Sequence, residues 1–150
     1  MALDTKAITL AVSNLSVSGV DIRDIDRIPD EVSVRQGPIM FPQPGEISVG
    51  YEDEPATFGG ATGTYWPVTR TINFLYLHAP IGEGRSAFSH YSGLADKADA
   101  MIEKFMELSI TSVDVLSVKI DGFPKPIEGP SGNMFYGFIV VMTVREKVNA

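Results

Sequence analysis

One stretch constrains the fold more than any other. Residues 68–108 read as a long strand (VTRTINFLYL), a glycine-broken connector (HAPIGEGRSAFSHYSG) and an amphipathic helix (LADKADAMIEKFMEL). Residues 64–77 are dense in Thr, Val, Ile, Phe, Tyr and Leu, types that suit a pleated, half-buried surface. Val68, Ile72, Phe74 and Tyr76 share one parity, interrupted by Arg70. The other parity (Thr69, Thr71, Asn73, Leu75, Leu77) turns apolar toward its end, so the second half of the strand is expected to be buried on both faces. Pro67 cannot donate to a ladder and places the beginning of the strand at an edge or bulge. In the helix, Leu94, Ala98, Met101, Ile102, Phe105 and Leu108 form an apolar stripe at helical spacing. Asp96 and Asp99 are read as lying near the helix start, where the dipole favours acids, with Ser92 as the cap. Met101, Phe105 and Met106 read as core filler.

The flanking segments extend this unit. Residues 4–14 are read as a short helix in preference to a strand, capped by Asp4 or Thr5, with Ala7, Leu10 and Ala11 on one face and Leu3 and Leu15 at its edges. Residues 16–31 form an extended, edge-like segment leading to a turn at Pro29-Asp30. Asp21, Asp24 and Asp26 lack the glycine, the terminal Glu and the alternation of a calcium loop, so they are expected to be solvated turn charges. GPIMFP at 37–42 is bracketed by prolines and reads as a plug or edge segment whose apolar side chains must meet the domain's own core or a neighbouring subunit. Residues 46–52 alternate as a strand with Ile47, Val49 and Tyr51 on one side. Residues 53–63 break all periodicity and form a long loop carrying Phe58. Residues 113–121 are a strand with Leu116, Val118 and Ile120 inward, 122–133 a proline-glycine loop, and 134–148 the last strand, central over 138–144. The expected architecture is one α+β domain spanning residues 1–150, two-layer, with a mainly antiparallel four-stranded sheet and two helices in the order α-β-β-α-β-β.

Little in these residues carries chemistry. Without Cys there are no disulfides, thiolate nucleophiles or Cys-based zinc sites. A net charge of −7 argues against a DNA-wrapping or anionic-membrane surface. No apolar run approaches the roughly 20 residues that span a bilayer. The N-terminal residues lack the basic and apolar regions of a signal peptide, so a cytoplasmic setting is expected. Gly82-Glu83-Gly84-Arg85-Ser86 lacks the ending of a phosphate-binding loop and reads as a flexible turn. The histidines, His78 and His90, both lie in the connector with Glu83 between them, and Ser86 and Ser89 near His90 are not in a G-x-S-x-G elbow. The expectation is a non-enzyme with no cofactor and no metal, His90 belonging to an irregular connector that serves as a contact surface.

Three segments together resemble the tail-terminator, or tail-completion, proteins of long-tailed bacteriophages: IPD at 28–30 with GPIMFP at 37–42, FLYLHAPIGEGR at 74–85 leading into the helix, and GPSGNMFYG at 129–137 entering the last strand. The resemblance covers most of the chain, and neck and head–tail connector proteins of the same virions share the fold. It implies a virion structural protein, assembled in the host cytoplasm, that caps the tail tube as a hexameric ring. Such a ring ends tube polymerisation and forms the head-docking surface. Its implied partners are further copies of itself, the tail tube protein and a neck or connector protein, with DNA passing through the acidic lumen without specific binding. On that basis Phe41 and Phe58 are candidates for packing across a subunit boundary, Arg70 and Arg85 for pairing with acids of the next subunit, and His90 for the same contact surface. The alternative is a small α+β binding module that docks a partner by its edge strand.

Overall fold

The computed structural model describes residues 5–30, 32, 38–51, 65–81, 90–110, 113–121, 125–130 and 132–149. The fold is α+β: two helices, α1 (Thr5–Ser13) and α2 (Tyr91–Met106), and a mixed sheet of six strands. The strands are β1 (Asp21–Ile22), β2 (Ile39–Tyr51), β3 (Tyr65–Pro80), β4 (Val113–Ile120), β5 (Lys125–Glu128) and β6 (Met134–Asn149). The path across the sheet is β1-β2-β3-β6-β4, and β5 pairs with β6.

The four expected strands, β2, β3, β4 and β6, pair antiparallel. Two short strands were not foreseen. β1 joins β2 in parallel and makes the sheet mixed. β5 lies inside the expected 122–133 loop and runs along the same edge of β6 as β4, with Asp121 N–H donating to Ile139 between them. The first part of that loop, where described, is therefore ladder.

β3 is the centre of the sheet, and its second half behaves as its sequence demands: Phe74, Leu75, Tyr76 and Leu77 are all buried. The two parities feed two cores on opposite faces. Ile72, Phe74 and Tyr76 join Met40, Phe138, Val140, Met142 and Val144 beneath Ile8 and Val12 of α1 and Leu94, Ala98, Met101 and Phe105 of α2. Phe105 meets Phe74 edge-on at a centroid distance of 5.6 Å. Leu75 and Leu77 join Ile39, Phe41, Ile127 and Phe135 on the other face, closed by Val32, whose carbonyl accepts from Asn133. Pro67 lies where β3 pairs with β6 but, among the described residues, not yet with β2.

Several expectations are corrected. The 37–42 segment is no detached plug: Ile39 and Met40 pair with β3 on one side and β1 on the other. Its three apolar side chains are covered within the chain, Met40 on one face and Ile39 and Phe41 on the other. In α1 the buried side chains are Ile8, Thr9 and Val12, and Leu10 points outward because Ile8 and Leu10 stand about 200° apart on a helix. Asp4 lies outside the described residues. α2 begins at Tyr91, so Ser92 is inside it; His90 holds the cap position without a side-chain cap bond, and Asp96 and Asp99 fall beyond the first turn. Met101 is core, but Met106 is 73% exposed. On β4 a bulge at Leu116 swaps the parity, so Val113, Val115, Val118 and Ile120 pack inward and Leu116 is exposed. Asp21 and Asp26 are solvated charges, as expected, beside Arg23 and Lys6, whereas Asp24 is buried and pairs with Arg27.

Candidate functional site

The most chemically furnished site grows out of an irregularity in the backbone. β3 and β6 keep register through Leu77↔Gly137 and resume at Ala79↔Tyr136, leaving His78 as an extra residue on β3. Bulges re-aim a side chain, and here glycine permits the approach. A Cβ on Gly137 would stand 1.8 Å from the Tyr76 carbonyl oxygen, so only glycine lets the two backbones come this close. A second glycine lies on the facing helix: a Cβ on Gly93 would come within 3.1 Å of His78 Nε2. The imidazole thus lies against Gly93 in the first turn of α2.

Each neighbour defines the state of that ring. The Tyr76 hydroxyl lies 2.6 Å from His78 Nδ1. Tyr76 is fully buried, and burial pushes its phenol pKa up, so the hydroxyl keeps its proton. A protonated phenol both donates and accepts, so the role of Nδ1 follows the ring's tautomer, and Nε2 faces Gly93. Burial first, then the charges of His90 and Lys97, hold His78 below the ordinary imidazole pKa. The ring is therefore neutral near pH 7. His90 stands edge-on to it at a centroid distance of 5.9 Å and lies 5.7 Å from the Tyr136 ring, while Tyr76 packs on Phe138 at 4.6 Å. Lys97 donates to the Ser18 carbonyl and ties α2 to the turn after α1.

This arrangement packs and orients. One nitrogen of His78 is engaged by Tyr76 and the other faces Gly93, and among the described residues no group of three or more His, Asp or Glu could hold a metal ion. The two histidines are brought together, as their shared connector allows; Glu83, Arg85, Ser86 and Ser89 lie outside the described residues, as does Phe58. Sequence reasoning missed Tyr76, Gly93, Lys97, Tyr136 and Gly137 as members of this cluster. The available signal was Gly137, a lone glycine inside an apolar strand, which marks a bulge or a close backbone approach.

The other candidate residues sit elsewhere. Phe41 is 1% exposed in the second core and lines a groove of about 290 Å³ with Ile28, Pro29, Leu75 and Pro130. Gln43 also borders this groove, at an irregularity where residues 43–46 of β2 face only Asn73 of β3. Arg70 was expected to pair with an acid of a neighbouring subunit. Its guanidinium instead meets Glu146 of β6 in its own chain, with side-chain exposures of 10% and 1%. Val68 faces Glu146 and Arg70 faces Val144, so the pair is a diagonal one across the two strands.

The distal part of the β2–β3 hairpin is different in character. Pairing continues to Tyr51↔Val68, yet Glu46, Ser48, Val49 and Gly50 are exposed, Val49 at 55%. Over these residues β3 is paired with β6 on its other side, so the outer half of β2 is an edge strand, among the described residues, that carries an uncovered apolar side chain. Comparison with protein-family models and with curated proteins finds no match to the chain.

Proposed function

We propose that this chain is a structural protein of a long-tailed phage virion that caps the tail tube as a ring, hexameric as in the family it resembles. In this role it ends tube polymerisation and presents the surface on which the head docks. The observation that carries the reading is the outer half of β2, taken together with the three resembling segments. Beyond Met40 this strand pairs only with β3 among the described residues and presents Val49 to solvent, an edge suited to a contact with a second body. In the ring that body is the neighbouring subunit. The α+β class, with two helices packed on one face of a mixed sheet, supports the reading. The net charge of −7 suits a lumen through which DNA passes without adhering. The role is assembly and not catalysis.

Negative-stain images of the purified protein, alone and with tail tubes, test this. Rings of about six times the 16.3 kDa chain mass, free or seated on one tube end, are the expected result. A protein that stays monomeric in light scattering at high concentration and leaves tube ends bare would overturn it. Rings that bind head vertices and ignore tubes would move the assignment to the neck.

A further inference from the structure

We propose that the outer edge of β2 in one copy of this chain pairs antiparallel with the outer edge of β4 in the next, so that the contact between copies continues the sheet. This pairing rests on the proposed ring and names the surfaces that build it. Direction is its first support. β2 runs antiparallel to β3, β3 to β6 and β6 to β4, so β2 and β4 run opposite ways. A copy rotated about an axis along the strands keeps those directions, and its β4 meets β2 as an antiparallel neighbour. Level is the second support. Ser48 shares a row with Ser117 through Thr71 and Thr143, and Val49 shares one with Val115 through Arg70 and Val144. The two edges therefore stand at one height. A neighbouring copy extends each row without a step along the strands, which favours closure into a ring over a rising filament.

The chemistry of the two edges also matches, face by face. On the helix-bearing face β2 offers Ile47 and Val49, and β4 offers Val115 and Val118. Val49 is 55% exposed where the sheet ends beside it, and Val115 of the next copy lies at its level. On the opposite face Ser48 meets Ser117. One residue further along, beyond the row that joins Ile47 to Val118, Glu46 meets Lys119. Both are exposed, and neither forms an ion pair among the described residues. Opposite charges across a strand pair are favourable. The extent of the contact is set by what closes each edge. β1 occupies β2 at Ile39 and Met40, Pro42 and Pro44 have no N–H to give, and Ile110 bridges to Val113 on β4. Residues 46–50, which carry neither Pro nor Lys to blunt them, are left facing 114–119 of the next copy, where the Leu116 bulge adds one residue.

Cysteine cross-linking tests the pairing cleanly, because the chain has no Cys of its own. Full-length Ser48→Cys and Ser117→Cys proteins are mixed, at high concentration alone and with tail tubes, and oxidised in air with copper–phenanthroline. Residues opposed across an antiparallel pair stand about 4.5–5.5 Å apart at Cα, within disulfide reach. The expected product is the mixed S48C–S117C dimer, at least about tenfold faster than either homodimer. Adding Glu46→Lys to the S48C protein should slow it by up to about fivefold, and adding Lys119→Glu to the S117C protein should restore the rate. A charge exchange that restores nothing overturns this register. Rings on tubes without the mixed dimer, or a predominant S48C homodimer, overturn the pairing and leave the cap role standing. Mixed dimers from a protein that ignores tubes uphold the pairing and remove the cap role. Neither rings nor cross-links, with or without tubes, would defeat both.

Discussion

Glu146→Ala is expected to cost about 3–5 kcal/mol of folding stability, the range seen when one member of a buried ion pair is removed. The cost comes from what remains. Arg70 is held on the helix-facing side of β3, one side chain from Ile72, and its guanidinium is nine-tenths covered. Without the carboxylate the cation keeps its desolvation penalty and loses its attraction. The double variant Arg70→Met, Glu146→Leu removes both charges and fills similar volume, so it should lie within about 2 kcal/mol of the wild type. Urea denaturation of the three proteins gives these differences from their midpoints. A single variant within about 0.5 kcal/mol of wild type would mean that Arg70 is solvated or held elsewhere.

Gly137→Ala should be comparably damaging, at about 3 kcal/mol or more, the upper end of what overpacking a filled site costs. The added methyl has nowhere to go, because the atom it meets at 1.8 Å is the Tyr76 carbonyl oxygen and not the tip of a side chain. Relief requires β3 and β6 to separate where Leu77, near the end of β3, faces Gly137, near the start of β6. The same shift dislodges His78 from Tyr76, so the imidazole resonances of His78 should move in any Gly137→Ala protein that folds. Gly50→Ala is the control: a Cβ there meets nothing within 4 Å, and the substitution should be close to neutral in thermal melts. Equal losses at both positions would remove the close approach as the cause.

How much of this was legible beforehand depends on the residue. The burial of Phe74, Leu75, Tyr76 and Leu77 on both faces could be read directly, because an apolar run in a strand has only the two faces to fill. The α2 stripe was equally plain, since Leu94, Ala98, Met101 and Phe105 obey helical spacing. Failures cluster where the backbone departs from its period. Leu116 was placed inside because strict alternation was assumed across a bulge that no local residue announces. β1 and β5 are two and four residues long and owe their existence to β2 and β6, not to their own propensity. Leu10 was misplaced because both faces of a short helix offered apolar residues and only the tertiary packing chose between them.

The candidate site was less legible than the fold. That Arg70 breaks an apolar parity was visible, but not that its partner lay 76 residues away on a diagonal of β6. His78 and His90 were grouped by their connector, whereas the atoms that define their state come from Tyr76, Gly93, Lys97 and Tyr136. Such a cluster depends on register, and register is set by the whole sheet.

The proposed role is to stop a tail tube from growing by seating on its end. Tube length followed over time by electron microscopy, with and without the purified protein, tests it. Addition during polymerisation is expected to arrest growth, fix the length distribution and leave a ring of density at one end of each tube. Tubes that lengthen at an unchanged rate, with bare ends and the protein left monomeric in solution, would contradict it.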